Sequence, residues 1–562
     1  MQLEKLTLKA VLERSIKLYS NNESLSWIDQ KPMLFSEFYE KVTKIQNALS
    51  QQGIAKGDKV ALLSENQPNW GIVYFAVTSM GAVIVPMLPD FKEHEVHHIL
   101  RHSESKAIFV SQKYYSKIED FSNDSLKFRY LLDNLSVIPA ETTIGKLKEV
   151  ISKKASPFIK LTQQALEFTG LKKTDVEEDD IACIIYTSGT TGHSKGVVLT
   201  HKNLVSDAKI SSSIFRILPT DVYLSVLPLS HTYECTVGLI LAIMNGSTVY
   251  YLKKPPTASV LLPAMQKVKP TIMLTVPLII EKIYKAKIKP ALTSSSVGKI
   301  LFSIPPFRKI LHRIAGKKLY NSFGGKLRFY GIGGALLSAE TEKFLIDAKF
   351  PYAIGYGLTE TSPLIAGCSP FKTKFRSTGW VPEPGEMRIA NPDPITGEGE
   401  IQFRGPNVMK GYYKDKEKTK EVFTEDGWFR TGDLGIFDKK DYLYIKGRSK
   451  NVIVGASGEN VYPEELEDKI NQHDLVLESL VYAVDGKITA RIFLNYDLID
   501  KRHGGKKFAD DRMGKFISNL LNDIKKDVNS KVAASAKIIN VIEQTEPFVK
   551  TPTKKIKRFL YT

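Results

Sequence analysis

Cysteine is nearly absent: Cys183, Cys235 and Cys368 are the only three in 562 residues, and they lie far apart. That spacing excludes a disulfide framework and a thiolate metal site, and it makes a reducing cytoplasm the expected setting. Short-period repeats and low-complexity tracts are lacking as well, so nothing points to a solenoid or a disordered chain. The opening MQLEKLTLKAVLERS mixes charge with apolar residues at helical spacing. Without an uninterrupted apolar core it does not read as a secretory signal. Only residues 70–89, WGIVYFAVTSMGAVIVPMLP, run uncharged over about the width of a bilayer. Gly81 divides that run into a helix-like half and a strand-like half, which predicts a buried layer of a globular fold. Acid is missing altogether from 282 to 328, where Lys and Arg recur.

What is present describes a large globular protein. Hydrophobic residues make up 43% and charged residues 25%, and a chain of this length is expected to fold as more than one unit. Strand-like runs (KVALL from Lys59, AIFV from Ala107, VYLSVLP from Val222, TIMLTVP from Thr271) alternate with helical stretches, predicting mostly parallel α/β layers. TVGLILAIMNGSTVYYL from Thr236 repeats the helix, turn, strand pattern of 70–89. Residues from about 120 to 180 are polar and mixed and read as a surface crossing. After Thr378 short strands broken by Gly and Pro predict a small β-rich subdomain. Beyond Lys450 follows a compact α+β unit with a helix at PEELEDKI, two strands and an amphipathic helix over 515–532.

The segment YTSGTTGHSKG, residues 186–196, directly follows the apolar run 181–185. Glycines let backbone N–H groups turn inward on an anion, hydroxyls add donors and a lysine adds charge, so such a loop suits phosphate. It is not a Walker loop, because Lys195 is followed by Gly196 rather than by Ser or Thr. Taken alone, the composition would equally fit a flexible surface loop.

Further blocks follow in order: LTHKNL from Leu199, LPLSHTYE from Leu227, YGIGGALLS from Tyr330, GYGLTETS from Gly355, GWFRTGDLG from Gly427, KGRSKNVIVGASGENVYPEELE from Lys446 and KTPTKKIKR from Lys550. Together with the phosphate-type loop they resemble the adenylate-forming superfamily over nearly the whole chain. SHTYE and SFGGKLRFYGIGGALLS resemble its long-chain fatty acyl-CoA synthetases. The resemblance implies an acyl-CoA synthetase/luciferase-like α/β fold. A large N-terminal domain, 1–449, would hold layered α/β subdomains and the β-rich subdomain; a small mobile α+β domain, 450–562, would carry the catalytic lysine.

It also implies roles. Thr187, Ser188, Gly189, Thr190, Thr191 and Gly192 would hold the β- and γ-phosphates of ATP, assisted by Lys195. Gly333 and Gly334 would border nucleotide and acyl group, and Tyr356 and Gly357 the adenine. Thr359 would touch the α-phosphate and Glu360 would help hold Mg2+. Asp433 would grip the ribose hydroxyls, with Arg448 beside it. His231 would help place the substrate carboxylate, and Lys555 would bridge that carboxylate and the α-phosphate. Lys450 would be the hinge about which the C-terminal domain turns, bringing Gly458 to the coenzyme A passage. Two positions depart from the family pattern: Ser194 and Leu336 each stand where relatives usually carry proline. Glu234 sits in the region where amino-acid-activating members carry an Asp, and it argues against a clean fatty-acid assignment.

The expected activity is ATP-dependent, AMP-forming ligation of a long-chain fatty acid to coenzyme A, with an acyl carrier protein as the alternative acceptor. The net charge of +18 concentrates in 282–328, interleaved with Ile300, Leu301, Phe302, Ile304, Phe307, Ile310, Leu311 and Ile314. That texture suggests peripheral contact with an anionic membrane, on its cytoplasmic face. A solvated helix whose apolar side packs inward is the structural alternative. Nucleic acid is not expected as a partner beside catalytic blocks.

Overall fold

A computed structural model describes residues 3–139, 142–143, 175–187, 194–454, 459–502, 510–551 and 555–562. Two large sheets organise the N-terminal part. In the first, six described strands run parallel, in the spatial order Leu25–Trp27, Thr248–Tyr251, Val222–Ser225, Ile272–Thr275, Phe329–Ile332 and Tyr352–Ile354. The second has eight described strands around a parallel centre of Ile181–Thr187, Val83–Met87, Lys59–Leu63 and Ala107–Val110. Its antiparallel edges are Lys195–Thr200 with Gly411–Tyr412 on one side and Ser136–Ile138, paired to Phe128–Leu131, on the other.

The sequence explains the layering. Parallel strands covered on both faces need continuous apolar runs, and Lys59–Leu63, Val83–Met87 and Ala107–Val110 supply them. Pro68–Ser79 forms a helix apolar on every side, as a helix buried between layers must be, and Trp70 stacks on Tyr74 at 5.2 Å within it. The uncharged run 70–89 is thus a buried helix followed by a core strand. Among the described residues no helix is long and apolar enough to cross a membrane.

The expected surface crossing after residue 120 differs from what folds. Phe128–Leu131 adds to the sheet in parallel with Ala107–Val110, and Ser136–Ile138 turns back on it. Tyr130, Leu131, Leu132 and Ile138 bury there, a run too short to stand out among polar neighbours. Residues 144–174 lie outside the described part.

Four antiparallel strands, Glu386–Ala390, Gly399–Arg404, Phe429–Phe437 and Leu443–Arg448, make the small β subdomain. A separate core then gathers apolar residues between Ile453 and Ile538. Its sheet of Val476–Val484, Lys487–Leu494 and Asn540–Gln544 is packed by helices Pro463–Asn471 and Asp510–Asn529.

Candidate active site

The carboxyl ends of four of the six parallel strands, Val222–Ser225, Ile272–Thr275, Phe329–Ile332 and Tyr352–Ile354, open onto a cavity of about 2650 Å³, where ligands of open α/β sheets characteristically bind. Gly333 and Gly334 follow one strand, Gly355 and Tyr356 the next, and His231 the loop after Val222–Ser225. Thr187 and Lys195 reach the cavity from the second sheet, where they are register partners at the mouth of the glycine-rich loop. Ser188, Gly189, Thr190, Thr191 and Gly192, like Gly458, lie outside the described residues. The β subdomain contributes Asp433 and Arg448, and the C-terminal unit contributes Lys450 and Lys555. Every other residue given a substrate or hinge role therefore lines one cavity.

Asp433 is the most constrained of these groups. The Tyr356 hydroxyl donates to its Oδ2 at 2.6 Å, and the Arg448 Nε lies 2.8 Å from its Oδ1. Burial pushes its carboxyl pKa up, against the opposing pull of Arg448 and of the Tyr356 hydrogen bond. Tyr356 and Gly357 pair antiparallel with Leu364–Ala366. Only glycine fits at 357, because a Cβ there would stand 1.8 Å from the Pro363 carbonyl oxygen.

Thr359 and Glu360 form the short turn that follows, and a buried pair not anticipated from the sequence braces it. Asp207 Oδ1 accepts from the Leu364 N–H at 2.8 Å and from Asn407 Nδ2 at 3.1 Å, while Asn407 Nδ2 also donates to the carbonyls of Thr361 and Leu364. Burial raises the Asp207 pKa to about 8, against the pull of the Leu364 and Asn407 hydrogen bonds. Tyr412 was also missed. Its hydroxyl donates to Glu360 Oε1 at 2.9 Å and its ring lies 5.0 Å beneath the Lys195 ammonium, so one tyrosine orients both groups.

Cations crowd this end of the cavity. Lys450 is held below the usual lysine range by desolvation, then by Arg448 and Lys195. Desolvation and Arg448 act on Lys555 in the same direction, while Asp433 and Glu360 pull it back up. Lys555 remains exposed to the cavity, yet the walls around it strip away much of its solvent. His231, half-buried, is pushed down to about 4 by burial and by the nearby Lys555, so its imidazole is neutral near pH 7. Lys195, Arg448, Lys450 and Lys555 thus gather around Asp433 and Glu360, a concentration of positive charge that suits a polyanion.

Glu360 is the one metal-ligand candidate here. Its Oε2 makes no hydrogen bond among the described residues, and those residues hold no cluster of three or more His, Cys, Asp or Glu side chains fit to cage a metal. One carboxylate beside a polyphosphate site fits Mg2+, which takes few protein ligands and completes its shell with phosphate oxygens and water.

A second arm of the cavity is apolar. Phe329, Gly331 and Gly333 on one strand, and Ile272, Leu274 and Val276 on its neighbour, alternate toward it, so it runs along one face of the sheet. Ile214, Phe215, Val237 and Leu241 wall it from two helices. Near its upper end the Tyr233 hydroxyl lies 2.6 Å from where a Cβ at residue 331 would stand. Tyr233 opens the π-helical stretch Tyr233–Ile240, a wide winding common at functional sites. Glu234, next to it, points away from the cavity into the core, where burial lifts its pKa to about 8.

The comparisons agree with this geometry. A family signature described as AMP-binding enzyme matches residues 12–413. The chain is 29% identical over 575 residues to the peroxisomal long chain acyl-CoA synthetase 7 of Arabidopsis thaliana, covering 94% of this chain and 79% of that one. It is 26% identical to the chloroplastic long-chain-fatty-acid–[acyl-carrier-protein] ligase AEE15 of the same plant, covering 94% and 80%. Among solved structures, the anthranilate CoA ligase AuaEII in complex with anthranoyl-AMP superposes with a TM-score of 0.76 at 21% identity, over 99% of this chain and 96% of that one. O-succinylbenzoate coenzyme A synthetase of Bacillus subtilis, in complex with ATP and magnesium ion, superposes at 0.73 and 21%, over 98% of each chain. The fold is that of the acyl-CoA synthetase/luciferase type, and the chain belongs to the AMP-binding enzyme family of adenylate-forming ligases.

Proposed function

We propose that this protein activates a long-chain fatty acid with ATP and passes the acyl group to coenzyme A. The observation that carries the reading is the apolar arm opening directly onto the cation cluster. From Phe329 to Gly333 the arm follows four residue steps of strand, about 13 Å, a length an acetyl group or amino-acid side chain would leave mostly empty. The two glycines on that face let the Tyr233 ring lie close against the strand beside the arm.

In the first half-reaction a carboxylate oxygen attacks the α-phosphorus of ATP, and the bond to the pyrophosphate oxygen breaks. Thr187, Lys195 and the loop 188–192 hold the leaving phosphates, Tyr356 lies against adenine and Asp433 with Arg448 holds the ribose. Thr359 donates to the α-phosphate, while His231 and Lys555 orient the attacking carboxylate and offset the charge that builds between it and the phosphate. Mg2+ on Glu360 would neutralise phosphate charge when bound. In the second half-reaction the coenzyme A sulfur attacks the acyl carbonyl and AMP leaves with the bonding electrons. The C-terminal domain turns about Lys450 to bring the Gly458 segment to the thiol passage.

The test is a chain-length series of acids assayed for acid-dependent pyrophosphate exchange, then for AMP release with coenzyme A or with acyl carrier protein. Maximal exchange with acetate or amino acids would defeat the fatty-acid reading. AMP release with carrier protein alone would replace the acceptor.

A further inference from the structure

Helices Ser296–Ser303 and Pro305–Ser322 carry a row of apolar side chains that the fold does not bury. Val297 is 64% exposed, Ile300 60%, Phe307 47%, and Ile310 and Ile314 each 53%, with Ile304 at 38% joining the two helices. Successive members are three or four residues apart, the spacing of one helical face. The inward side of the longer helix is already used. His312 bonds Asp347 at 2.9 Å, Phe302 packs on the His312 ring at 5.5 Å, and Gly316 lies so close to Ala348 that a Cβ would meet it at 2.4 Å. The inward-packing alternative therefore accounts for Leu319 and Phe302 but not for the outer row.

Cations interleave that row. Lys299, Lys309, Arg313, Lys317 and Lys318 are exposed and make no ion pair among the described residues. The basic stretch 282–328 is not one uniform surface, however. Lys285 donates to the Asn471 carbonyl, Lys289 pairs with Glu340 at 3.1 Å and Asp474 at 3.5 Å, and Arg328 pairs with Asp221 at 2.6 Å. What remains outward is the part in which lysine, arginine, isoleucine and phenylalanine alternate. Upstream of it, Leu278, Lys282 and Thr293 line the cavity, so this face adjoins the cavity wall.

We propose that this face docks the protein on an anionic lipid bilayer. Separated aliphatic and aromatic side chains, flanked by unpaired cations and free of acid, match an interface where apolar groups enter the acyl boundary and cations meet lipid phosphates. An acidic carrier protein would satisfy the charges and leave the row of isoleucines in water, whereas a second copy of this chain would satisfy the row and set cation against cation. The role of the membrane as source of the acid rests on the proposed fatty-acid activity; the docking itself does not.

Sedimentation of the full chain with vesicles tests it, comparing phosphatidylcholine alone with phosphatidylcholine mixed with phosphatidylserine. Binding is expected to the mixed vesicles and to be released by high salt. The triple variant Lys309→Glu, Arg313→Glu, Lys317→Glu should weaken it on the order of a hundredfold. Ile300→Ser, Phe307→Ser, Ile314→Ser should abolish it at fixed charge. Both variants should keep acid-dependent pyrophosphate exchange with a soluble medium-chain acid, which shows that they fold. Equal binding to both vesicle types, or binding unchanged in both variants, overturns the proposal. So does a carrier-protein complex or a dimer that the variants lose while vesicles are ignored. Vesicle binding needs no turnover, so failure of the fatty-acid reading and failure of docking are separate results.

Discussion

Asp433 and Arg448 stand opposite each other on neighbouring antiparallel strands, and the guanidinium closes on the carboxylate at 2.8 Å. Burial already raises the Asp433 pKa, and Arg448 acts most strongly against it, ahead of the Tyr356 hydroxyl and Lys555. Asp433→Ala should lower ATP affinity on the order of tenfold to a hundredfold, the worth of hydrogen bonds to a charged acceptor. Arg448→Gln should have a second effect: Asp433 protonates more readily, so over pH 8 to 5 the fall in ATP affinity on acidification should set in at a higher pH than in the wild type. Calorimetric titration with a non-hydrolysable ATP analogue across that range checks both. Parallel pH profiles would show that Arg448 does not control the carboxylate.

The apolar arm can be closed from its floor. A Cβ at residue 331 would meet the Tyr233 hydroxyl at 2.6 Å, Phe329 Cε1 at 2.9 Å and Leu274 Cδ2 at 3.1 Å, so Gly331→Val cannot be absorbed without displacing the lining. Long acids should lose at least about tenfold in kcat/KM, because each methylene kept out of the arm forfeits roughly 0.8 kcal/mol. Short acids and the KM for ATP should change little. Equal losses for short and long acids would place the acyl chain elsewhere.

The sequence made the nucleotide end of the site legible through the order of its motif blocks and the family they resemble, since residue type alone would have left each group an ordinary turn or tail residue. Thr187, Lys195, Asp433 and Lys555 could all be named that way, and all line the cavity. The second layer could not. Tyr412 reaches Glu360 only because Gly411–Tyr412 adds to the edge of a sheet whose partner strand is some two hundred residues earlier. Asp207 reads as an ordinary polar residue on a helix until the Asn407 loop packs over it. Phe128–Leu131 was hidden by polar neighbours, and burial of Tyr130 and Leu131 needed the sheet to be there first. Fold class was accessible for the opposite reason, since runs such as 59–63 and 83–87 are apolar whichever way they face.

His201 gives a pH dependence with a defined sign. It is fully buried, accepts the Leu8 N–H at Nδ1 at 3.1 Å, and burial lowers its pKa to about 4, with Asp180 pulling up and Lys56 pushing down. An unfolded histidine titrates near 6.5, so between those values the unfolded chain binds more protons. The contribution is intact above pH 6.5 and is lost as pH falls toward 4, by up to about 1.4 kcal/mol per pH unit. His201→Asn keeps an acceptor near the Nδ1 position and removes the titration. The difference between wild-type and variant urea stability should be flat above pH 6.5 and shrink below it. Asp207 and Glu234, both pushed up to about 8, slope the other way but are common to both proteins and cancel. A difference independent of pH would mean that the site tolerates imidazolium.

In this structure Lys555 lies near Asp433, Glu360 and His231, the placement that the proposed adenylation step calls for. Contacts between the N-terminal part and the C-terminal unit accompany it: Arg376 reaches Asp468 at 3.3 Å and Lys289 reaches Asp474 at 3.5 Å. If the unit turns to expose the thiol passage, these pairs must break and Lys555 must leave. Lys555→Ala should therefore lose adenylation on the order of a hundredfold or more, the usual cost of removing a charge aimed at a transition state, yet still convert supplied acyl-AMP and coenzyme A to thioester. Lys450→Pro should do the reverse. Lys450 lies in the short 3₁₀ turn Ser449–Asn451, whose φ proline can adopt, but fixing that φ prevents the turn from swinging. Arg376→Gln should slow adenylation a few-fold and spare thioester formation, because it weakens the Asp468 contact that accompanies one orientation. Separate assays of the two half-reactions decide among these outcomes. Equal loss of both halves in Lys555→Ala and Lys450→Pro, with folding intact, would rule out alternation about Lys450 in this protein.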